Sequence, residues 1–127
     1  MNMWWSMSDK TIRVNCASDY RIDDVHTLVG LKSKKGSCRQ IDEVRKVAES
    51  LEKDGLAEPL DVWIHGDHVY LVDGDTRVFA LNYLRGRYGY RIPPIPVRRV
   101  RPDNGRDMYL LVHGSIIREG VRWVIER

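Results

Sequence analysis

The sequence predicts an α+β domain: a small mixed β-sheet, containing a hairpin, covered by helices. Three observations predict it. Two runs, Leu60 to Ile64 and His68 to Val72, alternate apolar and polar residues on either side of Gly66-Asp67, the pattern of a β-hairpin. Before them, Ile41, Val44, Val47, Ala48 and Leu51 recur at helical spacing, with Gly55 placed to end the helix. Along the chain the elements then read strand, helix, hairpin, helix, strand, helix, an order that packs helices onto a mixed sheet.

Residues 1–10 read as a loose extension ahead of one domain spanning 11–127. Thr11 to Asn15 alternates and predicts a first strand. Asp23 to Leu31 has the composition of a short helix, and Lys32 to Ser37 that of an exposed loop. The clear helix follows over 39–54, then the hairpin. A second helix is expected from Thr76 to Arg85, with Phe79, Ala80, Tyr83 and Leu84 as its apolar face and Gly86 as its stop. Ile95 to Val100 reads as a strand broken by Pro102-Asp103-Asn104-Gly105. Met108, Leu111, Val112 and Ile116 give helical spacing over 106–118, and Val121 to Arg127 reads as a helical tail. Trp63 and Trp123 are expected in the core or an interface.

Hydrophobic residues at 43% suffice for a core, and charged residues at 31% solvate the surface, which excludes wholesale disorder. No apolar run is long enough to span a membrane, and the first residues lack the basic start and apolar stretch of a secretory leader. Cys16 and Cys38 match no paired-cysteine motif, so both are expected as reduced thiols of a cytoplasmic protein. His65 and His68 flank the hairpin turn, and no cysteine or histidine spacing matches a zinc site; no metal ligand is assigned.

The stretch Val72-Asp73-Gly74-Asp75-Thr76-Arg77 carries the chemistry. A strand ends, a glycine turns the chain, and a helix begins. The start of a helix offers unpaired N–H groups and a partial positive charge. Gly74 allows close backbone approach, Thr76 adds a hydroxyl and Arg77 a permanent cation, which together can cradle a phosphate. Asp75 is the acid or base available at that spot, and as a helix N-cap it has a simpler use.

The ordered set Gly55-Leu56-Ala57-Glu58-Pro59-Leu60-Asp61-Val62, Val72-Asp73-Gly74-Asp75-Thr76-Arg77-Val78-Phe79-Ala80 and Ile95-Pro96-Val97 resembles the N-terminal domain of ParB, in the ParB/sulfiredoxin superfamily. The match runs over roughly residues 39–118. It implies a cytidine triphosphate site, in which Glu58 and Pro59 lie toward the base and Gly74, Asp75, Thr76 and Arg77 hold phosphates. A later E-N-x-x-R helix aligns with Gly114 to Arg118, where Arg118 is retained. Gly114 and Ser115 stand where the acid and amide would help hold magnesium, so binding of a nucleotide (CTP or ATP) with little or no hydrolysis is expected. At the turn where sulfiredoxin has its nucleophilic cysteine this chain has Asp75, so that redox activity is not expected. With the sequence ending at residue 127, the helix-turn-helix and dimerisation domain of full-length ParB are not expected, and stand-alone domains of this kind look like those of phages and mobile elements.

A second functional reading rests on the basic stretch. Arg85, Arg87, Arg91, Arg98, Arg99 and Arg101 lie close in sequence, with Tyr88 and Tyr90 among them. Guanidinium forks suit phosphates and aromatic faces stack on bases, so DNA binding, or a ParB-like nuclease, is the alternative. A non-catalytic regulatory protein that kept the fold and lost its ligand is the third.

Overall fold

The computed structural model describes residues 10–34 and 41–126. Residues 1–9 of the expected 1–10 extension, the end of the 32–37 loop, Cys38, helix residues 39 and 40 and the terminal Arg127 lie outside the described residues.

The fold is α+β, a mixed sheet with helices on it. In chain order it comprises β1 (Tyr20–Ile22), β2 (Leu28–Gly30), α1 (Ile41–Asp54), β3 (Leu60–His65), β4 (His68–Asp73), α2 (Asp75–Tyr88), β5 (Ile95–Pro102), α3 (Gly105–Val112) and β6 (Trp123–Ile125). The sheet runs β1-β5-β3-β4-β2, with β6 paired to β5. The hairpin β3/β4 is antiparallel, and β3 also runs parallel to β5, so β3 lies at the centre. Its alternation therefore serves two faces. Leu60 and Val62 join Leu71, Ile95 and Val97 under α1 and α2, which contribute Val44, Ala48, Leu51, Ala80, Leu81 and Leu84. Trp63 and Val72 turn the other way, into a smaller cluster with Val100, Leu111 of α3 and Val121.

Helix α1 buries Val44, Ala48 and Leu51 and half-buries Val47, while Ile41 at its start is exposed. Gly55 ends it at φ +81° and donates its N–H to Leu51 O. The last carbonyls of α1 are satisfied from a distance: Arg13 Nη2 donates to Lys53 O, and Asn15 Nδ2 to Asp54 O. The expected strand over 11–15 divides its backbone bonds between two segments, Ile12 N–H to Arg91 O and Asn15 N–H to Leu56 O. Thr11 bridges Arg91 and Val14 bridges Leu56, each as a single pairing, and no ladder forms.

The structure corrects four further expectations. Asp23 to Leu31 is not a helix: Asp24 caps one 3-10 turn over Val25–Thr27, and the β-branched residues beside it continue into β2, parallel to β4. Helix α2 runs through Gly86 and stops at Gly89, whose φ of +71° and N–H bond to Arg85 O form the C-terminal cap. Its buried face is Ala80, Leu81 and Leu84, while Phe79 is 46% exposed. Helix α3 covers 105–112 rather than 106–118, because Gly114 at φ +69° and the bond from Ser115 N–H to Leu110 O terminate it. The expected C-terminal helix is β6, antiparallel to the second half of β5.

Candidate functional site

The end of β4 and the start of α2 floor a cleft of about 740 Å³. Gly74 makes the turn at φ +118°. A Cβ there would lie 2.5 Å from Leu60 Cδ2, so glycine is required by space as well as by conformation. Gly74 is also the N-cap of α2, with Val78 N–H donating to its carbonyl. It brings no capping side chain. Helical geometry leaves the next N–H groups without intrahelical acceptors.

Asp75 is therefore the first residue of α2 and not its cap. Its carboxylate takes both donors of one guanidinium: Arg118 Nη1 to Oδ1 at 2.7 Å and Nη2 to Oδ2 at 2.5 Å. The side chains are 11% and 17% exposed for Arg118 and Asp75. Burial works against the Arg118 charge, but the Asp75 bonds and the nearby Glu119 and Asp73 carboxylates outweigh it and raise its pKa. Arg118 lies not on a helix, as the resemblance implies, but on a 3-10 turn (Arg118–Gly120). Its N–H donates to Lys32 O, and its carbonyl accepts from Trp123 Nε1 at 2.9 Å.

Arg77 works on the protein itself. Its Nη1 donates to Glu58 O at 2.9 Å and Pro59 O at 3.3 Å, and Nη2 lies 3.8 Å from Asp73. It thus ties the α2 start to the chain entering β3, which forms the facing wall. Glu58, Gly74, Asp75, Thr76, Arg77 and Arg118 all line the cleft, and Pro59 lies behind the wall as an acceptor for Arg77. Of the sequence-expected ligand residues, the fold thus brings six into one cavity.

Sequence reasoning missed the cleft's acidity. Asp61, Asp73 and Glu119 also line it, so five carboxylates stand against two guanidinium groups. Glu119 belongs to a clasp: its Oε1 accepts from Ser33 Oγ at 2.5 Å and Lys34 N–H at 2.9 Å. Burial raises its pKa, but those bonds and Arg118 prevail and hold it low. Glu119 lies between the helices expected over 106–118 and 121–127, on the 3-10 turn Arg118–Gly120, and its partners are 85 and 86 residues away. Among the described residues, no three His, Cys, Asp or Glu side chains converge to hold a metal ion. Cys16 is a free, half-buried thiol that burial pushes up in pKa, against the pull of Arg77 and Arg21.

The arginines of the basic stretch are placed elsewhere, and several have partners distant in sequence. Arg98 forks onto Asp61 at 2.8 and 2.9 Å, across the register of β3 and β5. Arg99 pairs with Glu126 at 3.4 Å and lies over the Tyr20 ring. Arg85 bonds Asn82 and reaches Asp24 at 3.5 Å. Arg101 donates to Pro102 O, while Arg87 and Arg91 are exposed.

No family model, no curated protein and no solved structure matches this chain. No helix among the described residues is long and apolar enough to cross a membrane.

Proposed function

We propose that this protein binds the phosphates of a nucleotide, CTP or ATP, in the cleft at the start of α2 and does not turn it over. The observation that carries the reading is the convergence of an open 740 Å³ cleft, a left-handed Gly74 and the first turn of a 14-residue helix, with Thr76 and Arg118 beside it. An uncapped helix start is an anion site by geometry, and a guanidinium fork adds directional bonds to phosphate oxygens. The ParB-like order of motifs supports the same assignment, with the base toward Glu58 and the phosphates on Gly74 to Arg77. In this reading Arg77 shapes the wall, and Arg118 is the cation that meets the ligand.

A thermal-shift screen of ATP, CTP, GTP, UTP and their diphosphates, with and without magnesium, tests it. A ligand at a hundredfold excess over its Kd stabilises by about 2.7 kcal/mol, a rise of several degrees. A flat melting temperature across the whole panel would sink the reading.

A further inference from the structure

We propose that His65 and His68 form a two-imidazole chelate for a divalent transition-metal ion of the nickel, copper and zinc group, at the turn end of the β3/β4 hairpin. The site does not rest on the nucleotide reading. The cleft takes Asp61 and Asp73 from the opposite end of the same hairpin.

In the sequence the two histidines merely flank a turn. The structure adds register and face. His65 pairs directly with His68, and Trp63 with Tyr70, in the antiparallel ladder. Side chains alternate between the two faces of a strand, so all four of these project from one face. Trp63 and Tyr70 place that face on the side of the smaller core cluster. Directly opposite residues have Cβ atoms about 5 Å apart, close enough for two imidazoles to reach one ion with bonds of about 2 Å each.

Both rings are also held. His65 stacks on Trp63, with centroids 4.8 Å apart and planes 24° from parallel, and His68 meets Tyr70 edge to face at 5.8 Å. Trp63 and Tyr70 stack on each other at 5.0 Å, and Trp63 is buried. Each imidazole thus leans on a ring anchored in the core, which reduces the rotamer freedom that chelation must remove. These contacts are ring to ring. Among the described residues no hydrogen bond engages a nitrogen of either imidazole, so each neutral ring has a lone pair to offer.

The donors select the ion. Imidazole suits nickel, copper and zinc, whereas magnesium and calcium prefer oxygen ligands. No third His, Cys, Asp or Glu converges on the pair among the described residues, so water completes the coordination shell. An ion held this way links the two strands beside their turn. It binds the folded hairpin and not the open chain, and so stabilises the fold.

Titration of the chelator-treated protein with nickel chloride tests this, on the wild type, His65→Gln and His68→Gln. Nickel is paramagnetic and broadens NMR signals close to it. The wild type is expected to bind one nickel ion per chain, with the amides of residues 64–69 broadening first. Calorimetry should show binding weaker by roughly tenfold or more in each single variant. If His65→Gln does not melt cooperatively, His68→Gln decides, since His68 is exposed. A smaller loss in His68→Gln would leave one imidazole holding an adventitious ion only, and overturns the proposal. Broadening centred on His26, His113 or Cys16, or no binding by the wild type, overturns it as well.

Discussion

The backbone of Gly74 lies against the side chain of Leu60, so closely that a Cβ at position 74 would stand 2.5 Å from Leu60 Cδ2 and 3.1 Å from Arg77 Nη2. Leu60 is wholly buried at the centre of the sheet, so its methyl group can shift only against packed neighbours. Gly74→Ala therefore meets both a steric block and a positive φ, and should destabilise the protein by about 2–4 kcal/mol. Gly66→Ala is the control: its φ is +60° and nothing lies within 4 Å, so only the conformational cost of about 1 kcal/mol remains. Urea denaturation of the two variants should separate them by that margin; equal losses would mean that Leu60 gives way.

The hydrogen bonds of Arg77 go to carbonyls, from Nη1 to Glu58 O and Pro59 O, with the Asp73 carboxylate at the longer distance of 3.8 Å. Both bonds leave Nη1 while Nη2 stays 3.8 Å from Asp73, and the single nitrogen of lysine cannot serve both places. Arg77→Ala should cost about 1–3 kcal/mol, and Arg77→Lys should recover less than half of it. Hydrogen exchange at 56–60 should quicken in both variants while the α1 core stays protected. Unchanged exchange there would show that the wall stands without Arg77.

The parts of this fold that the sequence disclosed are those with long regular patterns. The β3/β4 hairpin and α1 show alternation and helical spacing over at least five residues each, and each is found where it was expected. The short elements β1, β2 and β6 have three residues apiece, too few to establish a period, and their pairing with β4 and β5 is a tertiary choice. For the site, the Gly74 turn was legible because glycine and helix start are local signals. The Asp75–Arg118 pair was not, since its partners lie 43 residues apart and meet only through the C-terminal turn. The same limit hid the carboxylates facing the basic stretch: Asp61 is 37 residues from Arg98, and Glu126 is 27 from Arg99.

Those distant carboxylates set the expected response to DNA. Were all six arginines to contact phosphates, the logarithmic salt slope of binding would be about −5. Arg85, Arg98 and Arg99 already face Asp24, Asp61 and Glu126, which leaves Arg87, Arg91 and Arg101 and a slope no steeper than about −3. Mobility shifts with duplex and single-stranded DNA across a salt series measure it. A slope near −5, reduced by Arg98→Ala and Arg99→Ala, would show that the pairs open on DNA and would favour the nucleic-acid reading.

Acid should loosen the clasp between the segment after β2 and the C-terminal turn. The Glu119 pKa is lowered from an ordinary value of 4.5: burial opposes the charge, but Ser33, the Lys34 N–H and Arg118 together more than compensate. A carboxylate depressed in the folded state contributes stability that is present above its unfolded pKa and disappears as pH falls through the folded value. Wild-type melting temperature should therefore drop below about pH 4.5, and Glu119→Gln should start lower at neutral pH and fall less steeply. The side chain is 39% exposed, so solvent screening keeps the effect small. Parallel curves for the two proteins would remove Glu119 from the account.

The last expectation concerns turnover. Cleaving a phosphoanhydride needs a phosphate cradle, a cation on the leaving oxygens and a group that orients water. On the proposed reading the cradle is the α2 start. Gly114 and Ser115, where the resemblance implies magnesium ligands, form a helix terminator, with Gly114 at φ +69° and Ser115 N–H bonded to Leu110 O. Asp75, at the first residue of α2, has both oxygens on Arg118. If a ligand phosphate displaces it, the freed carboxylate stands next to a bound anion, where repulsion works against bringing water in for attack. Losing the metal and the base each removes roughly a hundredfold or more in rate. CTP and ATP, with magnesium or manganese, should therefore release phosphate no faster with the protein than without it in a malachite-green assay. Steady release that disappears in Arg118→Ala would show that the cleft turns a nucleotide over and would overturn this expectation.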